Sequence, residues 1–287
     1  MVKTVCVIGV GLIGGSLAYG LRKQNWCESI IGIDAHQHVI DEAKRLNVID
    51  SGYTSIDECP VIPDVVVIAV PVLKIGKVFE QLTSWVSQCK AITDVSSTKQ
   101  SVIEDFNRVF AEQSFSCFVP GHPIAGREQS GVNSAIDNLF ANRKVILTPT
   151  QQTGEDSLKL VTDMWQQVGA NVEQLNAQDH DQILAATSHL PHALAFSLVH
   201  CLSTQSHTEE IFRYAAGGFA DFSRIASSDP VVWRDICLAN REELLNALSL
   251  FDRSLKQLKN GLQSSDGKVL EKLFLDAKKA RDKYTNF

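Results

Sequence analysis

The fold is decided by residues 5–16, Val5-Cys6-Val7-Ile8-Gly9-Val10-Gly11-Leu12-Ile13-Gly14-Gly15-Ser16, a short apolar run that breaks into clustered glycines and then becomes amphipathic. Gly9, Gly11 and Gly14 stand in the G-x-G-x-x-G spacing between a strand and a helix. In that context the first glycine makes the tight turn, the second lets the backbone approach a pyrophosphate, and the third lets the helix pack on the strand. The helix start then offers free N–H groups to the anion. Asp34 ends the next strand twenty residues after Gly14, where a carboxylate accepts hydrogen bonds from ribose hydroxyls. The residues expected to hold a dinucleotide are therefore Gly9, Gly11, Leu12, Ile13, Gly14 and Asp34. Asp34 would repel a 2′-phosphate, and neither Ala35 nor His36 supplies an arginine to pair one, so the expected cofactor is NAD rather than NADP.

Working outward, short β-branched runs alternate with amphipathic stretches as far as about residue 175. Strands are expected over residues 4–8, 29–33, 65–70, 91–95, 115–119, 144–147 and 171–174, with helices over 12–22, 36–46, 75–87, 99–110 and 155–167. That pattern predicts a doubly wound α/β domain built on a parallel sheet. From residue 176 the strand signal stops, and Leu, Ile, Phe and Ala recur at helical spacing to the end. The expected domains are residues 1–175, dinucleotide-binding, and residues 176–287, all-helical and apolar enough to pair with a second copy as a homodimer. Gly217 and Gly218 open an irregular stretch that ends at Asp229-Pro230, an N-cap and first-turn pair for the next helix.

Composition narrows the partners. The chain has 287 residues, about two domains' worth. It is 44% hydrophobic and 21% charged, close to globular averages. Its 27 Lys and Arg against 33 Asp and Glu leave a net charge of −6, the wrong balance for tracking nucleic acid, so an anionic ligand must meet locally placed cations. The longest apolar run, residues 65–73, contains Pro71 and falls short of the roughly 20 residues of a membrane span. The N-terminal apolar stretch reads as a strand and turn, not a signal peptide, because glycines interrupt it and no small-residue cleavage site follows. Seven cysteines, none closer than 21 residues to another, fit reduced thiols in a cytoplasmic protein.

Titratable residues cluster in four further segments: Thr-Asp-Val-Ser-Ser-Thr-Lys (93–99), Pro-Gly-His-Pro-Ile-Ala-Gly (120–126), Ser-His-Leu-Pro-His (188–192) and the run from Gly218 to Ile236 containing D-F-S-R-I-A-S-S-D-P-V-V-W-R-D-I. The first two follow expected strands and fall at the carboxyl edge of the sheet, where such folds bind ligands. A zinc site at His189 and His192 is not expected, since Pro191 intervenes and no acid or cysteine completes it.

On G-H-P-I-A-G together with the 221–236 run, the whole chain resembles the prephenate dehydrogenase family, which includes cyclohexadienyl and arogenate dehydrogenases. The resemblance implies a Rossmann-type domain followed by a helical dimerisation domain. It implies NAD-dependent oxidative decarboxylation of a cyclohexadienyl acid, prephenate or arogenate. Carried over by position, His122 resembles the catalytic histidine that takes the ring hydroxyl proton, and Ser97 the serine that orients this hydroxyl and the nicotinamide. Arg224 resembles the arginine that binds the side-chain carboxylate, and His192 a histidine near the ring carboxylate. Asp221 and Glu128 match acidic positions at the pocket entrance, and Trp233 an aromatic position close by, although ordinary core packing is the expectation for Trp233. His180 and His189 match family histidines with no direct chemical role assigned. No metal is implied.

Simpler roles compete. Ser97 could cap the helix beginning near Lys99. Arg224 could pair with Asp221, and His192 could cap or pack a helix. Two other functions compete as well. A β-hydroxyacid dehydrogenase would need a lysine from the second domain, but no lysine lies between Lys159 and Lys256. A non-catalytic NAD-sensing dimer would share the cofactor motif. The early first strand and the helical end of the chain suggest a bare dehydrogenase without mutase or regulatory modules.

Overall fold

The computed structural model describes residues 2–110, 115–127 and 129–284. The chain divides into two compact units, with the division falling between Asn240 and Arg241. The first holds the sheets and the shorter helices. Its elements in order are β1 (Val2–Ile8), α1 (Leu12–Lys23), β2 (Cys27–Ile33), α2 (Gln37–Arg45), β3 (Ser51–Tyr53), β4 (Val65–Ile68), α3 (Ile75–Gln81), β5 (Ala91–Asp94), α4 (Gln100–Phe110), β6 (Phe118–Val119), β7 (Gly121–Pro123), β8 (Lys144–Leu147), α5 (Glu155–Gln167), β9 (Asn171–Gln174), α6 (Ala177–Leu184), α7 (Leu190–Ser203), α8 (Thr208–Arg213), α9 (Gly217–Ser223) and α10 (Pro230–Ala239). The second consists of α11 (Arg241–Gln263) and α12 (Gly267–Tyr284), which pack on each other across a short link.

Six strands form a parallel sheet in the order β3-β2-β1-β4-β5-β6. This is the order of dinucleotide-binding sheets, with the strand order reversing beside β1. Both faces are covered, which is why the central strands read as continuous apolar runs rather than alternating ones. On one face Val5, Val7, Val65 and Val67 pack with Leu17 and Leu21 of α1, Ile40 of α2, and Met164 and Trp165 of α5. On the other, Cys6, Ile8, Val66 and Ile68 pack with Ile75 and Phe79 of α3 and with Val102, Phe106 and Phe110 of α4. Phe79 meets Phe106 and Phe118 edge-on at ring-centroid distances of 5.2 and 5.3 Å, which locks α3 and α4 against the end of the sheet.

The sequence led us to expect one parallel sheet from residue 4 to residue 174, and here the structure differs. Pro120 has no N–H to continue a ladder, and the chain leaves the first sheet there. Residues 121–123 start a second, mixed sheet in the order β7-β8-β9, with β7 antiparallel to β8 and β8 parallel to β9. His122 stands in the middle of β7, paired with Ile146.

Residues 177–203 form one helical rod interrupted by a π-helical turn over Ala185–His189. Asn176 caps its start by accepting the Asp179 N–H at 2.8 Å. The wide turn lies directly ahead of Pro191, which cannot donate to the preceding turn and crowds it, so local widening relieves the ring. Asp229 caps α10 from the Pro230 side, as the sequence predicts, accepting the N–H groups of Val231 and Val232 at 2.8 and 3.1 Å. Among the described residues no helix is long and apolar enough to cross a membrane.

Candidate functional site

The glycine turn divides its labour. Gly9 has φ +95°, and a Cβ there would lie 2.5 Å from the Ala69 carbonyl oxygen; at Gly14 it would lie 2.2 Å from the Gly9 carbonyl oxygen. Both are packing requirements. At Gly11 a Cβ would meet nothing within 4 Å, because this residue faces an open cavity. It is also the N-cap of α1 and carries no side-chain cap, so the first N–H groups of the helix point outward unpaired by side chains. That combination fits a dinucleotide pyrophosphate. Asp34 follows β2 and accepts from Val10 N–H at 3.2 Å and His36 N–H at 3.1 Å, which orients its carboxylate at the strand end.

These roles separate by experiment. Gly9→Ala is expected to destabilise the fold by about 2 kcal/mol or more, the sum of a left-handed backbone and a clash with main chain. Gly11→Ala is expected to keep the parental melting temperature and to weaken NAD binding about tenfold. Thermal melts and cofactor titration of the two variants check this.

The cavity in front of Gly11 measures about 640 Å³. Gly11, Leu12, Ile13, Ser97, His192, Arg224 and Trp233 all line it, so residues of the cofactor turn share one space with residues 86 to 222 positions further along the chain. Gly9 and Gly14 stand behind this wall, and Asp34, Asp221 and His122 are not among the lining residues. Asp221 is exposed on α9, and Glu128 lies outside the described residues.

His122 is 8% exposed. Its neighbours are buried and tightly tied. Lys99, 0% exposed, donates from Nζ to Asp94 Oδ2 and to the Gly121 carbonyl, while the Gly121 N–H donates to Asp94 Oδ1 at 3.1 Å. This knot fixes the start of β7 beside the loop that carries Ser97. Burial, first, and then the electrostatic influence of His180, Lys99 and His189, hold the His122 imidazole well below its ordinary pKa. Behind it, His122 Nδ1 and His180 Nε2 are 2.9 Å apart, and His180 Nδ1 lies 2.7 Å from Asp181 Oδ1. Asp181 also accepts the N–H groups of Lys99 and Gln100, at 2.7 and 2.8 Å. The start of α4 is thus capped by a carboxylate from α6, and the Ser97 side chain stays at the cavity wall.

His192 and Trp233 form the opposite wall, their rings stacked at 3.5 Å and 15°. Core packing was the expectation for Trp233; instead it is half-buried and supports a histidine in the cavity. His192 Nδ1 donates to the Ser188 carbonyl at 2.9 Å, which leaves Nε2 as its second ring position. Burial, with a further push from Arg224, lowers the His192 pKa. His189 is pushed down to about 4, mainly by burial, and its Nδ1 lies 3.0 Å from Asn240 Nδ2, so the amide donates to it. The same amide nitrogen donates to the Asp181 carbonyl at 2.9 Å.

Sequence reading named His122 and Ser97 but gave His180 no direct role and passed over Asp181, Lys99 and Asn240. An acid directly following a histidine at 180–181 is the only local signal for the buried group.

A family model described as prephenate dehydrogenase, nucleotide-binding domain, matches residues 17–174, and one described as prephenate dehydrogenase, dimerization domain, matches residues 176–276. The chain belongs to the prephenate dehydrogenase family. Among members of that family, the chain is 36% identical to prephenate dehydrogenase of Bacillus subtilis over 98% of its own length and 76% of that protein's. It is 34% identical to cyclohexadienyl dehydrogenase of Zymomonas mobilis, over 97% of its length and 95% of that protein's. A crystal structure of prephenate dehydrogenase from A. aeolicus in complex with hydroxyphenyl propionate and NAD+ superposes with a TM-score of 0.90 at 38% identity, covering 98% of each chain.

Proposed function

We propose that this chain oxidises and decarboxylates a cyclohexadienyl acid, prephenate, arogenate or both, with NAD. The observation that supports this most is the single cavity in which the open turn at Gly11 meets Ser97, His192 and Arg224, with His122 anchored at the adjoining sheet edge. NAD held by the Gly11–Gly14 turn and Asp34 would supply the acceptor for the carbinol hydrogen as hydride. Ser97 orients the ring hydroxyl, and His122 takes its proton. The bond from the ring to its carboxylate then breaks, CO2 leaves, and the electron pair enters the ring as it becomes aromatic. The proton held by His122 returns to the phenolic oxygen. Arg224 binds the side-chain carboxylate, and His192 faces the ring carboxylate, with Asp221 near the entrance. On this reading the cofactor domain is residues 1–175, and residues 176–287 complete the substrate site and pair two copies of the chain. The seven free cysteines suit a cytoplasmic enzyme, and its acidic charge argues against a nucleic-acid partner.

The test follows NADH absorbance and CO2 release with prephenate and with arogenate. One CO2 per NADH is expected, with NADP giving a lower kcat/KM because Asp34 repels its 2′-phosphate. NADH formation from a simple β-hydroxyacid but from neither cyclohexadienyl acid would sink the proposal, and so would NAD binding without turnover.

A further inference from the structure

The buried hydrogen bonds behind His122 determine where its proton sits. Asp181 is the fixed end. Its Oδ1 accepts the Lys99 N–H and its Oδ2 the Gln100 N–H at the first turn of α4. Burial pushes its pKa up, but the bonds from His180, Gln100 and Lys99 outweigh that and hold the carboxyl below its usual range. A carboxylate accepts and does not donate, so the His180 Nδ1 beside Oδ1 carries a hydrogen. With one hydrogen on its ring, His180 presents a lone pair on Nε2. That atom faces His122 Nδ1, which therefore carries the hydrogen of the second ring. Only Nε2 of His122 is left with a lone pair.

We infer that His180 and Asp181 are positioning residues that hold His122 in the Nδ1–H tautomer, so that Nε2 is the atom that takes the substrate's hydroxyl proton. The inference rests on the reading of His122 as the base. It also accounts for the charge that follows. When His122 becomes an imidazolium, the titratable groups around it are His180 and Asp181 from α6, Lys99 from the loop before α4, paired with Asp94 of β5, and His189 of the π-helical turn. Lys99 opposes the new charge and already occupies Asp94. Asp181, reached through His180, is the carboxylate that favours it.

Three measurements test this. First, 15N NMR of the intact protein labelled at its eight histidines, with His122 assigned from a His122→Asn variant, should show a protonated Nδ1 and an unprotonated Nε2 at neutral pH. The opposite tautomer overturns the inference without depending on how any other variant folds. Second, His180→Leu removes the acceptor and is expected to lower kcat about 10²-fold, with substrate KM and NAD affinity within threefold of the parent. Third, His180→Gln, whose carbonyl can accept from His122 and whose amide can donate to Asp181, is expected to recover at least tenfold of that loss. A leucine variant with kcat within threefold of the parent, or a glutamine variant no better than leucine, overturns the assignment of His180. If His122→Asn itself kept the parental kcat, the base would be elsewhere and the reading under it would fall as well.

Discussion

His122→Asn is expected to lower kcat by roughly 10²- to 10⁴-fold while NAD affinity stays within threefold. Asparagine can hydrogen-bond the ring hydroxyl, but it cannot take its proton at neutral pH. The pH profile carries the sharper half of this expectation. An unperturbed imidazole would place the acidic limb of kcat/KM near pH 6.5. Burial, and after it the electrostatic influence of His180, Lys99 and His189, lower the folded-state value, so the imidazole stays unprotonated as pH falls through 6.5. Activity is then lost only when pH falls through the lowered value, and the limb in the parent lies well below 6.5. His122→Asn should remove that limb. A variant that keeps both the limb and the parental kcat moves the base to another residue, with His192 the next to test.

Arg224→Ala is expected to raise the substrate KM about 10²-fold, equivalent to about 2 to 3 kcal/mol for one charge-assisted bidentate contact, with NAD affinity nearly unchanged. The substrate carries carboxylates into a protein of net charge −6, so a local cation has to offset the general repulsion. Arg224 follows α9 and lines the same cavity as Gly11 and Ser97. Arg224→Lys keeps the charge but not the planar fork and should recover only part of the loss. Steady-state kinetics on both variants decide the matter: a KM within twofold of the parent in the alanine variant removes Arg224 from the site, and a fall in melting temperature with unchanged KM assigns it to the fold.

What could be read from the chain and what could not follow from the distance over which each feature is determined. The Gly9 to Gly14 turn, β1, α1 and Asp34 lie within thirty-odd residues, and each step has its own residue signal, so the cofactor site was legible. The Asp229-Pro230 start of α10 was legible for the same reason. β7 was not, because a three-residue strand of Gly, His and Pro has no alternation to detect and is held by pairing to β8. The cap of α4 was missed for a related reason. Ser97 is a local candidate, but the carboxylate that serves the helix start comes from 82 residues away. His180 approaches His122 across 58 residues. Trp233 sits on a helix whose pattern is equally that of a core residue; only the stacked His192 shows its side chain to be a cavity wall.

The π-helical turn at Ala185–His189 sets an angle. A helical rod advances about 100° per residue, so one surplus residue accommodated in a wide turn rotates everything after it by about that amount relative to everything before. His180 and Asp181 precede the turn and face the buried end of His122, while His192 follows it and faces the cavity. The surplus residue thus works as a phase shifter between two histidines on one rod, directing one behind the base and the other in front of it. A single-residue deletion within 185–189 that restored an uninterrupted α-helix would leave both histidines in the chain and swing His192 away from Trp233.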